Sequence, residues 1–345
     1  MPSRRAFLLA TGAGAVGTTV CSLTGRAQSR GVQVLRPTGG VPAHVAGAVK
    51  EPYGFCQAPD GDYLVFDRRA HTVWRISPGL DEARAIVTIG QEQGKLYSPS
   101  AFDVGPSGTF VVADAPGDQE RVQVFDGHGS RLSGFTLPGR ATARITLGTS
   151  VMNGVSSLQY TGATILINRP EDGALVSEYS ASGTPIRSVG TLRATGHERE
   201  RNLHLALNSG LPLLTRGGDI FFVFFAGEPR FRKYDAKGAL RFERLLQGRE
   251  VDAILAQLPT TWTRRQIAGD ELPVVPPSVR TAAVDSLGQL WIALADGTIY
   301  VYDADGEKVR ALKLEGTGPL LPNSLSLPSP SRLLVAPGLY EFTIR

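Results

Sequence analysis

The chain has 345 residues, 42% of them apolar, with 40 glycines and a formal charge of +4. That length supports one large core or two ordinary domains. Arginine supplies most of the positive charge, since lysine stands only at positions 50, 95, 233, 237, 308 and 313; with no basic run and no aromatic-interleaved basic patch, a nucleic-acid surface is excluded.

Ser3-Arg4-Arg5-Ala6-Phe7-Leu8 has two arginines ahead of Phe-Leu, and a weakly apolar Gly/Ala stretch follows to about Val20. A spanning helix needs about 20 apolar residues, so a signal segment fits better. The segment resembles the twin-arginine export motif. That resemblance implies a signal peptide over residues 1–27, cleavage after Gly25-Arg26-Ala27 and a periplasmic or secreted protein. Membrane contact is then confined to the signal segment, if it stays uncleaved. Cys56 is the one cysteine outside this segment, so an intramolecular disulfide is not expected. Its alternating surroundings read as a buried strand.

Beyond the leader, residues 31–36 (GVQVLR) read as one isolated strand. Residues 51–90 then give four short strands separated by Gly/Asp turns, and residues 99–137 repeat the pattern. A third unit starts at Asn153, and a looser fourth includes IFFVFF. The fifth, 281–309, is the most regular: TAAVD, QLWIAL and TIYVYD, with KVRALKL after them. Such runs with tight turns form β-meanders. In four of these units the third strand ends in an aromatic residue, a small polar residue and a turn glycine: Phe125-Asp126 with Gly129, Tyr179-Ser180 with Gly183, Tyr234-Asp235 with Gly238, and Tyr302-Asp303 with Gly306. The first three recur about 54 residues apart. Self-similarity of four-stranded units at this scale predicts a propeller, because one blade cannot bury both faces alone.

Residues 324–345 supply only three strands, and GVQVLR is the natural fourth. The expectation is therefore an all-β chain forming a six-bladed β-propeller over 31–345, closed by an N-terminal strand in the last blade. Residues 191–212 read as a charged, irregular connection. Residues 247–278 read as an inter-blade insertion with a short helix, since Val251, Ile254, Leu255 and Leu258 have helical spacing.

The openings Pro52–Gly61 and Pro99–Gly108 resemble NHL-type repeats and related six-bladed propellers, most of them exported and uncharacterised. The resemblance spans residues 31–345 and implies the fold more strongly than an activity. Residues at the starts of inner strands converge at one channel mouth, which nominates Arg280, Glu51, Asn153, Asn323 and Tyr53 as ligand-binding. Glu51-Pro52, Asn153-Gly154 and Asn323-Ser324 also resemble three metal-ligand positions of gluconolactonase-type propellers. That resemblance implies a Ca or Mg site and a metal-dependent hydrolase of the lactonase type. The fifth unit departs from it: Ser278-Val279-Arg280-Thr281 stands where an Asp-Gly pair is expected, and an arginine repels a cation. The favoured expectation is a binding or scaffold module without a cofactor. Its partner is a periplasmic protein or a small polar or anionic ligand held by Arg280. The histidines lack metal-ligand spacing, and neither a Gly-x-Ser-x-Gly elbow nor a phosphate-cradling loop is present.

Overall fold

The computed structural model describes residues 31–139, 144–147, 150–267, 269–316 and 318–344. The signal segment 1–27 lies outside the described residues. Six four-stranded antiparallel units succeed one another along the chain. Their inner strands are Pro52–Gln57, Ala101–Val104, Ser157–Tyr160, Gly210–Leu214, Val279–Val284 and Ser324–Ser329. They define blades one to six.

The second strands of the blades are deeply buried. Tyr63–Asp67, Phe110–Asp114, Ile220–Phe224 and Leu290–Leu294 are buried at every position. This explains their unbroken apolar runs: both faces of a blade are covered by neighbours. Alternate residues serve alternate interfaces. Phe221 and Val223 pack towards Ile292 and Tyr300 of blade five, while Phe222 and Phe224 pack towards Leu166 and Leu175 of blade three. The same arrangement recurs around the ring. Phe66 meets Phe110 between blades one and two, Trp291 shares a core with Leu333 and Phe342 between five and six, and Phe55 and Val65 meet Leu334 and Ala336 between six and one. That last interface closes the ring.

The repeated polar residue after the third strand now has a physical role. Asp126 Oδ1 accepts the turn N–H groups of His128 and Ser130, and Asp235 and Asp303 do the same in blades four and five. Each is a side-chain-closed turn. The glycine that follows serves packing as well as turning. Gly129 has φ +89°, and a Cβ there would strike the Ile86 carbonyl on the outer strand of blade one. At Gly183 a Cβ would strike the Phe135 side chain of blade two.

Ring closure by an N-terminal strand is observed, but the pairing is shifted along the chain. The strand that completes blade six is Pro37–Gly40, paired antiparallel with Tyr340–Thr343. Gln33–Leu35, from the apolar run expected to close the ring, instead pairs parallel with Lys308–Leu314 as a fifth strand on blade five. Leu35 is buried there beside Leu312 and Leu314. Pro37 is tolerated because it occupies an outermost strand, where a missing N–H costs nothing.

Insertions lie at the end where inner strands begin, hereafter the entrance. They comprise a hairpin (Arg144–Leu147, Ser150–Asn153), helix α2 (Arg201–Leu207) after α1 (Ala43–Ala46), helix α3 (Arg249–Leu255) and a second hairpin (Arg264–Ile267, Asp270–Pro273). The expected helix in 247–278 is thus α3. The charged connection 191–212 also contains a helix, α2, whose Leu203, Leu205, Ala206 and Leu207 are buried with Ala226 and Val275. Seven residues make fewer than two full turns, too few for an apolar periodicity to be read from sequence. No helix among the described residues is long and apolar enough to cross a membrane.

Candidate functional site

The six inner strands enclose a channel of about 780 Å3. Their inner edges carry backbone groups that no further strand can pair, and buried backbone polar groups need partners. Side chains from adjacent blades supply several. Ser324 Oγ accepts the Phe55 N–H at 3.4 Å, and Asp103 Oδ2 accepts the Tyr160 N–H at 2.7 Å. Gln159 Oε1 accepts the Leu214 N–H, and Ser157 Oγ donates to the Gly210 carbonyl. The channel wall is therefore stitched blade to blade.

At the entrance, three consecutive blades contribute Arg280 (five), Asn323 (six) and Tyr53 (one), all lining the channel. Register shifts between Val279 and Thr281 and between Pro52 and Gly54 place Arg280 and Tyr53 at irregularities of their inner strands. Bulges of this kind re-aim a side chain at the rim of a barrel or ring. Arg280 Nε donates to the Pro322 carbonyl at 3.0 Å. Among the described residues Arg280 makes no ion pair with a carboxylate, and burial alone lowers its guanidinium pKa, with only the Tyr53 phenol opposing. Asn323 Oδ1 is buried without a hydrogen-bond partner.

The other nominated residues are placed differently. Glu51 Oε1 accepts from Arg68 Nη2 at 2.5 Å, and that guanidinium lies 4.2 Å from the Tyr53 ring centroid. Glu51 therefore does not pair with Arg280, and it is not among the channel-lining residues. Asn153 ends the hairpin strand Ser150–Asn153, and its side chain lies outside the description. Of the nominated metal donors, Glu51 is already paired with a guanidinium, and a second guanidinium, Arg280, stands in blade five; neither favours a divalent cation. Among the described residues no three His, Cys, Asp or Glu side chains gather in one place.

Two polar groupings carry no sequence motif. Deeper in the channel, Cys56, Asp103 and Ser326 form one layer. Cys56 is half-buried and lines the channel wall. Burial first, and then the Asp103 charge, push its thiol up to about 12, against a Ser326 hydrogen bond. Burial holds the Asp103 carboxyl at about 7, although the backbone N–H groups of Tyr160 and Val104 favour its charged form. The signal for this layer is faint: an aspartate inside the otherwise unremarkable strand SAFDV.

The second grouping lies between blades two and three. Arg169 Nε binds Glu120 Oε2 at 2.6 Å and Arg169 Nη1 binds Asp172 Oδ1 at 2.6 Å, while Arg169 Nη2 donates to the Pro138 carbonyl at 2.8 Å. Glu171 is beside them, both carboxylate oxygens buried without a hydrogen-bond partner, and burial raises its pKa to about 7. At the same end α2 covers the start of the blade-three inner strand, where the Ser156 and Ser209 hydroxyls meet at 3.2 Å. The cover lies on the side of blades three and four, and Arg280, Asn323 and Tyr53 lie on the side of blades five, six and one.

No protein-family model and no curated protein matches the sequence. Solved structures do match in shape. Hydrazine synthase of Kuenenia stuttgartiensis aligns at TM-score 0.50 and 14% identity, covering 86% of this chain and 96% of that one. A streptogramin B lyase aligns at TM-score 0.50 and 9% identity, covering 85% and 92%. Regucalcin from Agrobacterium tumefaciens, a calcium-binding protein, aligns at TM-score 0.48 and 12% identity, covering 88% and 87%. Identities this low speak to architecture alone. By its strand order and its closed ring of inter-blade cores, the chain is a six-bladed β-propeller.

Proposed function

We propose that this propeller is a binding protein that takes a small anionic ligand at the channel entrance. The observation that carries this reading is Arg280. A half-buried guanidinium without a carboxylate partner is costly, and an incoming anion compensates it. The Tyr53 ring forms one wall, and the unpartnered Asn323 Oδ1 offers an acceptor for a ligand hydroxyl or protonated group. The insertions at the same end suit a ligand that arrives with, or is passed to, a partner protein. Titration calorimetry of the purified protein with a panel of short mono- and dicarboxylates tests the anion seat. Binding that weakens at least about tenfold in Arg280→Gln supports it, a loss of about 1.4 kcal/mol. Equal binding by both proteins removes Arg280 as the seat.

We also infer export by the twin-arginine route, on the strength of Arg4-Arg5 ahead of Phe7-Leu8. A reporter active only outside the cytoplasm, fused to residues 1–31, loses its signal on replacement of both arginines by lysine. A signal that persists points to another route.

A further inference from the structure

The channel has a second polar layer below Arg280, and the two layers carry opposite charge. Tyr53 and Arg280 are the second residues of their inner strands, and Asn323 immediately precedes its own. Cys56 and Ser326 stand three residues further along the same strands as Tyr53 and Asn323. A strand rises about 3.3 Å per residue, so the layers are about 10 Å apart along the channel. Asp103 belongs to the deeper layer: it stands five residues before the turn glycine Gly108, as Cys56 stands five before Gly61, and both line the channel.

Asp103 has features that a purely structural aspartate does not require. Among the described residues no arginine, lysine or histidine pairs with it, and the Cys56 thiol is its one titratable neighbour. The Tyr160 N–H that it accepts would be equally well served by a neutral amide oxygen. The carboxylate nevertheless lines a cavity with room for a ligand. Arg216 and Asp285 also line the cavity, and Asp285 is taken up by its own turn N–H groups and by Trp291 Nε1. Arg280 without a carboxylate partner and Asp103 without a cationic one each lack what one bound molecule would supply to both.

We propose that the channel seats an elongated zwitterion, its carboxylate on Arg280 and its ammonium group on Asp103. This rests on the anion seat proposed above and adds to it a ligand class and a length. A span of about 10 Å excludes α-amino acids, whose two charges are adjacent, and favours ω-amino acids or short peptides. Burial leaves Asp103 partly protonated near neutrality, so binding of an ammonium group releases a proton.

The test uses caproate and ε-aminocaproate with the wild-type protein and with Asp103→Asn and Arg280→Gln, read by calorimetry at pH 6 and pH 8. The expected result has three parts. ε-Aminocaproate binds the wild type about tenfold more tightly than caproate at pH 8, and that advantage shrinks at pH 6. In Asp103→Asn the advantage disappears while caproate still binds. In Arg280→Gln both ligands are lost. Equal affinity for caproate and ε-aminocaproate in the wild type, with both dependent on Arg280, overturns the two-point seat and leaves the anion seat standing. Loss of neither ligand in Arg280→Gln overturns both. If Asp103→Asn lowers stability but leaves the amine's advantage intact, Asp103 is only a stitch to Tyr160. Thermal unfolding of each variant, run alongside, separates lost binding from lost folding.

Discussion

Arg280 Nε donates to the Pro322 carbonyl oxygen at 3.0 Å, joining the inner strand of blade five to the approach of blade six. One of the five guanidinium N–H donors is spent on this contact. Replacement by methionine removes a hydrogen bond worth about 1 kcal/mol and also removes the cost of a half-buried, uncompensated charge. The two effects oppose each other. Arg280→Met is expected to unfold in urea within about 1 kcal/mol of wild type, in contrast to its effect on anion binding. A loss of several kcal/mol would make Arg280 a structural keystone.

The Glu120–Arg169–Asp172 grouping behaves differently. Arg169 and Glu120 are nearly inaccessible, and their contact is 2.6 Å. Arg169→Met leaves Glu120 and Asp172 without their cation, with Glu171 close by. The expected cost is about 3–5 kcal/mol, measured as a shift in the urea midpoint. Glu120→Gln retains an acceptor for Arg169 and is expected to cost less. Equal effects would contradict a charge-based account.

Glu171 makes stability depend on pH. Burial raises its carboxyl from 4.5 to about 7 in the folded protein. A raised folded value means that protonation favours the fold. The contribution is complete below about 4.5 and is lost as pH rises through about 7. Glu171→Gln should therefore match wild type near pH 4 and exceed it near pH 8. The gain is on the order of 1 kcal/mol once solvent screening of a partly exposed group is allowed for. Melting curves at the two pH values check this, and a variant that is less stable at pH 8 refutes it.

Two glycines separate backbone strain from packing. Gly288 has φ +78° with nothing near a new Cβ, so Gly288→Ala should cost about 1 kcal/mol. Gly129 has a similar φ but abuts the Ile86 carbonyl of the preceding blade. Gly129→Ala should cost about 2–4 kcal/mol, since rigid backbone must shift as well. Chemical denaturation of the two variants reads the difference directly, and equal losses would mean that the blade interface yields easily.

The Cys56 thiol, pushed up to about 12, is almost wholly protonated at pH 8. Only the thiolate is nucleophilic. Alkylation by iodoacetamide, followed by peptide mapping, should be at least about 100-fold slower in the native protein than in urea. Comparable rates would place the thiol in open solvent.

Blade number and turn register were legible in the sequence because each depends on local chemistry. The small polar residues at 126, 180, 235 and 303 close their own turns, and the glycines after them avoid a neighbour's backbone or side chain. The closing strand was misplaced by several residues for a related reason. Pro37–Gly40 holds no large apolar side chain and joins blade six through backbone pairing, whereas Gln33–Leu35 advertises a strand through Val34 and Leu35. Helix α2 was hidden because it is only seven residues long, too short for helical periodicity to stand out from the charged residues before it. At the site, Arg280, Asn323 and Tyr53 were found because strand starts are easy to count. Asp103 was not, since its meaning comes from Cys56 and Ser326, brought beside it from distant parts of the chain. The pairing of Glu51 with Arg68 was equally invisible, because a strand-end arginine advertises no particular partner.

The strand that seals the ring comes from the opposite end of the chain from the three it joins. The Thr38 and Thr343 hydroxyls lie 3.1 Å apart although 305 residues separate them in sequence. At ribosomal rates of about 5–20 residues per second, Pro37–Gly40 must wait unpaired for roughly 15 to 60 seconds before its partner exists. Blades one to five can assemble during synthesis, but the circle closes only once Tyr340–Thr343 has been made. Until then blade one presents the open side of Phe55 and Val65 to solvent, which makes the unfinished ring the natural client of a chaperone.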